Sequence, residues 1–213
     1  MSEILGVAGQ MRSGKDTIAN YLIEKFGNSW RRVAFATGVK RVYVETFDKD
    51  YDFIEEWKVK SESPDGFHKT VRQSLQFIGD GFREIKPDIW IELLFRKERT
   101  PYIISDVRYL NEIRKVKEEG GLTILVWRKG FENSDPNGSE AQVKPIIDLF
   151  KETDIDGPVP VGFFDKYMPI DVPSTVIEAA KFIDVFIRNN GTKEDLYSKL
   201  DEKVIPYVAQ KLS

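Results

Sequence analysis

Near its N-terminus the chain carries Gly9-Gln10-Met11-Arg12-Ser13-Gly14-Lys15-Asp16-Thr17, the G-x-x-x-x-G-K spacing that a phosphate cradle requires. Gly9 and Gly14 let the backbone wrap closely enough for its N–H groups to point inward at phosphate oxygens, and the helix that follows adds the partial positive charge of its N-terminus. Lys15 reaches the β- and γ-phosphates as a point charge. The residue after this lysine is ordinarily Ser or Thr, whose hydroxyl ligates magnesium; here Asp16 intervenes and Thr17 follows, so the loop is a variant. A carboxylate beside Lys15 adds negative charge next to a triphosphate and requires a compensating cation, a role that suits magnesium. Its plainer role is a favourable charge in the first turn of a helix.

Other residues have chemistry in reach. Asp106 ends an apolar run at 102–105, and in a parallel sheet an acid so placed emerges beside the phosphate loop, where it can hold the water shell of magnesium. A strand-end aspartate also serves as a mere helix cap. Arg72, Gln76 and Arg83 share one face of a helix, suited to a phosphate and a base edge or simply to solvent. Arg128 and Lys129 leave another apolar run and enter a polar loop at 132–140. Basic loops beside a phosphate loop can close over the transferring group, although 131–137 reads best as a plain surface turn. Thr37 can cap a helix starting near Lys40, which would project Lys40 from its first turn at a strand's carboxyl end. That is a place to meet an anion, or only a capped surface helix.

The elements that must position these residues follow from periodicity. An apolar run at 4–8 reads as a buried parallel strand, and Ile18, Leu22, Ile23 and Phe26 recur at helical spacing, so the glycine loop lies where strand turns into helix. Strands are expected at 32–36, 102–106, 122–127 and 182–187. Helices are expected at 40–47, 69–83, 87–95, 111–119, 176–181 and 193–212. Gly79 and Gly81 weaken the end of the helix at 69–83. Pro87 suits a first helical turn, and Trp90 and Phe95 read as core. Gly120-Gly121 is a helix stop, and Asn189 to Thr192 a turn and cap into the last helix. Residues 48–66 read as a polar surface excursion and 151–174, with four prolines, as irregular. No internal repeat or low-complexity tract is present.

Composition narrows the function. The chain has 213 residues, 41% hydrophobic and 31% charged, enough for one domain with insertions. A net charge of −3 gives no electrostatic reason to expect a nucleic-acid polymer as partner. The absence of cysteine excludes disulfides, thiolate metal sites and a cysteine nucleophile. His68 is the sole histidine, which leaves no support for a histidine metal cluster or a Ser-His-Asp triad, and it is given no role. No apolar run approaches the roughly 20 residues a membrane helix needs, and no export signal is evident, so a soluble cytoplasmic protein is expected.

Taken together, these pieces resemble the P-loop deoxynucleoside monophosphate kinases of phages. The resemblance rests on the variant loop 12–17; on 71–79 with Arg83 and Trp90; on 104–108 with Asn111 and Glu112; on Gly138-Ser139-Glu140; and on Asn190-Gly191-Thr192 before a leucine-bearing helix. They occur in the family's order and cover most of the chain. The resemblance implies a three-layer α/β/α P-loop fold in a single domain, with a five-stranded parallel sheet built from 1–47, 101–129 and 174–213. A helical nucleoside-monophosphate-binding insertion would occupy about 48–100 and a lid region about 130–173.

The activity implied is transfer of the γ-phosphoryl group of ATP to a deoxynucleoside monophosphate, with magnesium. Arg12, Ser13, Gly14, Lys15, Asp16, Thr17, Asn190 and Gly191 would hold ATP, and Asp16, Thr17 and Asp106 the metal. Thr37, Lys40, Arg72, Gln76, Arg128, Gly138, Ser139 and Glu140 would form the acceptor side. Lys15, Asp16 and Arg128 would act in catalysis, Arg128 neutralising charge between donor and acceptor. Many relatives carry aspartate where this chain has Thr37, which leaves base preference open. So are discrimination between deoxyribose and ribose, and assembly into a homodimer; if the chain is phage-encoded, its compartment would be the host cytoplasm. Phosphomevalonate kinases of the animal type share a Ser-Gly-Lys-Asp loop and remain an alternative, as does an ATP-binding switch that transfers nothing.

Overall fold

Strands buried on both faces need mostly apolar residues, and Ile4–Gly9 (β1), Tyr102–Val107 (β3) and Leu122–Trp127 (β4) supply them. The computed structural model describes residues 3–99, 101–131, 141–166 and 171–212. It divides into two compact units, 1–33 with 99–213, and 34–98.

The first unit is built on a sheet of order β2-β3-β1-β4-β6-β5, where β2 is Arg31–Val33, β5 Gly157–Pro158 and β6 Val185–Arg188. All neighbours are parallel except β5, which runs antiparallel to β6. Five parallel strands were expected; the sixth is a two-residue Gly-Pro edge strand, too short for any periodicity and depleted in strand formers. Alternation along the strands gives the sheet two apolar faces. One, with Leu5, Val7, Ile103, Ile124, Val126 and Ile187, packs on Ile18 and Leu22 of α1 (Lys15–Phe26) and on the C-terminal helices. Behind the other lies α6 (Leu110–Glu118), whose Val116 methyls sit 3.2 and 3.4 Å from where a Cβ on Gly6 would be. The result is an α/β/α sandwich.

Beyond β4 come α7 (Lys144–Lys151), α8 (Phe163–Lys166) and α9 (Ser174–Ala180), so the stretch expected to be irregular holds a short strand and helix. Phe150 of α7 stacks on Phe186 of β6, with ring centroids 4.9 Å apart. Strand β6 starts at Val185 because 182–183 finish the turn after α9. The expected last helix is α10 (Lys193–Lys199), a π-helical stretch Leu200–Val204 and α11 (Ile205–Leu212). Pro206 explains the interruption: it has no N–H for the Glu202 carbonyl, and Ile205 bonds back to Leu200 instead.

The second unit is helical: α2 (Ala36–Phe47), α3 (Tyr51–Trp57), α4 (Val71–Ile85) and α5 (Ile89–Lys97). It includes α2, which sequence reading placed with the sheet. Within 48–66, expected as a polar excursion, α3 buries Ile54 against Tyr43 and Val71. Phe53, Ile54 and Trp57 have helical spacing, Asp50 caps by accepting from Phe53 N–H at 2.7 Å, and the acids face solvent. Helix α4 runs through Gly79, whose carbonyl accepts from the buried Trp90 indole at 3.0 Å. Among the described residues no helix is long and apolar enough to cross a membrane.

Candidate active site

Strand β1 delivers the chain into the glycine loop, and the loop's shape depends on both glycines. Gly9 has φ +148° and a Cβ there would lie 2.4 Å from the Val126 carbonyl oxygen; Gly14 has φ +108° and caps α1 in the left-handed region. Arg12 is also left-handed, at φ +62°. Lys15 is buried, with Nζ donating to the carbonyls of Gly9 at 2.8 Å and Gln10 at 2.6 Å. Its ammonium is thus held inside the curl of the loop. Ser13 Oγ and Gln10 Nε2 are buried without a hydrogen-bond partner among the described residues. A native loop rarely leaves such groups unsatisfied, and they suit an anionic ligand that accepts hydrogen bonds.

A cavity of about 440 Å³ opens on this loop, lined by Met11, Arg12, Gly14, Lys15, Asp16, Thr17, Ser105, Asp106, Arg108, Arg128 and Phe131. Consecutive residues of a regular strand face opposite sides of a sheet, yet Ser105 and Asp106 both line it. The register explains this: Gly6 pairs with Ile104 and Ala8 with Val107, so both residues stand opposite Val7 in a β-bulge. Glu112, buried on α6, accepts from the backbone N–H groups of Arg108 at 2.7 Å and Tyr109 at 3.1 Å, fixing the turn that carries Arg108. Arg128 follows β4 and lies over the Phe131 ring, 5.0 Å from its centroid. Phe131, expected in a plain surface turn, is therefore part of the cavity wall.

Asp16 has a cation that sequence reading missed. Arg32 of β2 pairs with Asp16 Oδ1 and donates through Nε to Ser105 Oγ at 2.8 Å and through Nη1 to Asn20 Oδ1 at 3.3 Å. Magnesium is therefore not the sole compensator for this carboxylate. The donor set still fits magnesium: Asp16, Thr17 and Asp106 line one cavity, and magnesium takes one or two carboxylates with phosphate oxygens and waters. Among the described residues no group of three or more His, Cys, Asp or Glu side chains converges as a metal site.

A protein of Acanthamoeba polyphaga mimivirus, provisionally named a deoxynucleotide monophosphate kinase, is 30% identical over 162 residues, covering 67% of this chain and 83% of its own. The chain belongs to the deoxynucleotide monophosphate kinase family. An uncharacterized protein, ORF76, of Ictalurid herpesvirus 1 (strain Auburn) is 27% identical over 176 residues, covering 78% of this chain and 65% of that one. No protein-family model matches the chain. A dephospho-CoA kinase from Campylobacter jejuni overlays at 12% identity with a TM-score of 0.43 and full coverage of both chains, too loosely to carry weight.

In this P-loop kinase the other expected site residues lie as follows. Asn190 Oδ1 accepts from the Lys129 N–H at 2.8 Å, and Gly191 precedes Thr192, which caps α10 in a reciprocal capping box with Asp195. In the helical unit Thr37 does not cap α2: the helix already starts at Ala36, so Thr37 lies in its first turn, exposed. Lys40 pairs with Glu55 of α3 at 2.6 Å. The Lys40 ammonium, and then Lys58, hold the Glu55 carboxyl below its usual range. Arg72 and Gln76 are exposed on α4, while Arg83 pairs with Asp80 at 3.2 Å. Gly138, Ser139 and Glu140 lie outside the described residues.

Arg108 lines the cavity, and Arg32 and Asn189 bond to the glycine loop, although none of the three was among the expected site residues. Arg32 sits in a three-residue strand and reads as surface. Asn189 is buried immediately after β6, and its Nδ2 donates to the Ser13 carbonyl at 2.8 Å. The sequence signal available for it was its place at the carboxyl end of a parallel strand, the edge where such sheets bind ligands.

Proposed function

We propose that this kinase transfers the γ-phosphoryl group of ATP to a deoxynucleoside monophosphate, giving the deoxynucleoside diphosphate and ADP. The observation that carries the proposal is that Lys15, Asp16, Thr17, Asp106 and Arg128 line one cavity. The name of the mimivirus relative supports the choice of acceptor. Arg12 to Thr17, with Asn190 and Gly191, hold ATP. Lys15 neutralises the β- and γ-phosphates, and Asp16, Thr17 and Asp106 hold magnesium directly or through its waters. The bound metal supplies charge neutralisation to the triphosphate. Thr37, Lys40, Arg72 and Gln76, with Gly138, Ser139 and Glu140, are assigned to the acceptor nucleotide, the helical insertion and lid region serving as its binding elements.

An oxygen of the acceptor phosphate attacks the γ-phosphorus in line, the bond to the β–γ bridging oxygen breaks, and ADP leaves. Such a transfer needs little covalent help from the protein and depends on positioning and cations. Arg128 is the cation assigned to the charge shared between donor and acceptor as the group moves. The test is a panel of the four common deoxynucleoside monophosphates, their ribonucleotide counterparts and phosphomevalonate, each with ATP and magnesium. Turnover of at least one deoxynucleotide supports the proposal. Turnover of phosphomevalonate alone, or ATP binding with no turnover, would replace it with the other kinase or with a switch.

A further inference from the structure

We propose that Asn189 is a positioning residue for the nucleotide site: it holds the Ser13–Gly14 peptide in the orientation that presents the Gly14 N–H to the phosphates. This inference rests on the reading of the glycine loop as the ATP site. A trans peptide is planar, with its C=O and N–H pointing in opposite directions. Asn189 Nδ2 donates to the Ser13 carbonyl at 2.8 Å, which fixes that C=O toward Asn189 and turns the Gly14 N–H away from it. Gly14 lines the cavity. Its φ of +108° lies where glycine rotates easily, so the peptide needs an external restraint. Contact is close enough that a Cβ on Gly14 would stand 2.4 Å from Asn189 Nδ2.

The restraint is itself fixed. Asn189 is 7% exposed, and its own backbone N–H donates to the Trp127 carbonyl at 2.8 Å, extending the β4–β6 ladder by one rung. The next residue, Asn190, accepts from Lys129 N–H at 2.8 Å. The two asparagines thus join the glycine loop to the strand exit that carries Arg128. Only a side chain with a donor serves at 189, because its partner is a carbonyl; aspartate has nearly the same shape but, when ionised, only accepts.

Asn189→Ala and Asn189→Asp test this by calorimetry of ATP binding with magnesium, alongside thermal unfolding. Asn189→Ala should bind ATP about three- to tenfold more weakly, as expected for loss of one neutral hydrogen bond. Asn189→Asp should bind more weakly still at pH 8 and recover toward the wild-type affinity as the pH falls, because a protonated carboxyl again donates to Ser13. The charged groups on the surrounding elements, Lys15 on α1, Arg128 and Lys129 after β4, Arg188 on β6 and Asp195 on α10, are common to both proteins. The ratio of variant to wild-type affinity at each pH therefore isolates the new carboxyl. If the alanine variant does not fold, the nearly isosteric aspartate variant carries the test through its pH profile. Wild-type affinity in the folded variants, with a flat ratio across pH, overturns the inference alone. Failure of the wild type to bind ATP overturns the site reading and this inference with it.

Discussion

Removing the Asp16 carboxylate separates its ion pair with Arg32 from the metal role proposed for it. Its partner Arg32 has a side chain 39% exposed, and Asp16 itself is 71% exposed, so their ion pair is a surface one worth about 0.2–1 kcal/mol. A charge in the first turn of α1 adds about 0.3–1 kcal/mol. Asp16→Asn should therefore cost about 0.5–2 kcal/mol, roughly 1–8 °C in a chain of this size. Arg32→Ala should cost more, because it also removes the bonds to Ser105 Oγ at 2.8 Å and Asn20 Oδ1 at 3.3 Å. Magnesium dependence should run the other way. If Asp16 assists the metal, Asp16→Asn raises the magnesium concentration for half-maximal activity by roughly tenfold to a hundredfold, whereas Arg32→Ala shifts it much less. Initial rates across a magnesium titration at saturating ATP, beside thermal melts, give both orderings. Equal magnesium shifts in the two variants would show that Asp16 acts only by holding Arg32, and an unchanged curve in Asp16→Asn would remove it from the metal site.

Arg72→Ala should weaken a deoxynucleoside monophosphate roughly tenfold to a hundredfold while leaving ATP nearly unaffected; equal weakening by calorimetry would remove Arg72 from the acceptor side. Arg128→Ala should lower the single-turnover rate by up to roughly 10³ with smaller changes in either affinity, and an unchanged rate at saturation would remove it from catalysis. Asp156 gives a pH prediction. Burial raises its carboxyl, but the Arg188 N–H at 2.9 Å, the Lys199 ammonium at 2.9 Å and Lys203 outweigh this and hold it below its usual range. A carboxyl lowered in the folded state adds stability above its unfolded value and loses it as pH falls through the folded one. Asp156→Asn should cost about 1.5–3 kcal/mol at pH 7, with the gap closing below about pH 4; a gap that persists in acid would contradict this.

The glycine loop was legible because its shape depends on local residue types: two glycines at fixed spacing, a lysine, and strand and helix on either side. Asp106 was legible as a strand-end acid, but the bulge that places Ser105 beside it was not, since register depends on the partner strand. Trp90 and the helical spacing of α4 could be read directly. Helix α3 was hidden because polar and acidic residues dominate 48–66 while Phe53, Ile54 and Trp57 make only one short stripe. The Gly-Pro edge strand has no pattern of its own and exists only because β6 offers a free edge. Arg32 and Asn189 went unread for one reason: their partners, Asp16 and Ser13, are distant in sequence, and nothing in an isolated arginine or asparagine announces such a partner.

The central claim is group transfer to a nucleotide, and following the phosphorus tests it most directly. ATP labelled in its γ-phosphate is incubated with magnesium, the protein and each deoxynucleoside monophosphate, and the products are separated. The account predicts label in a deoxynucleoside diphosphate, unlabelled ADP in equal amount, and loss of both products in Lys15→Met. Label released only as inorganic phosphate, or retained in ATP while ATP binding is measurable, would contradict it.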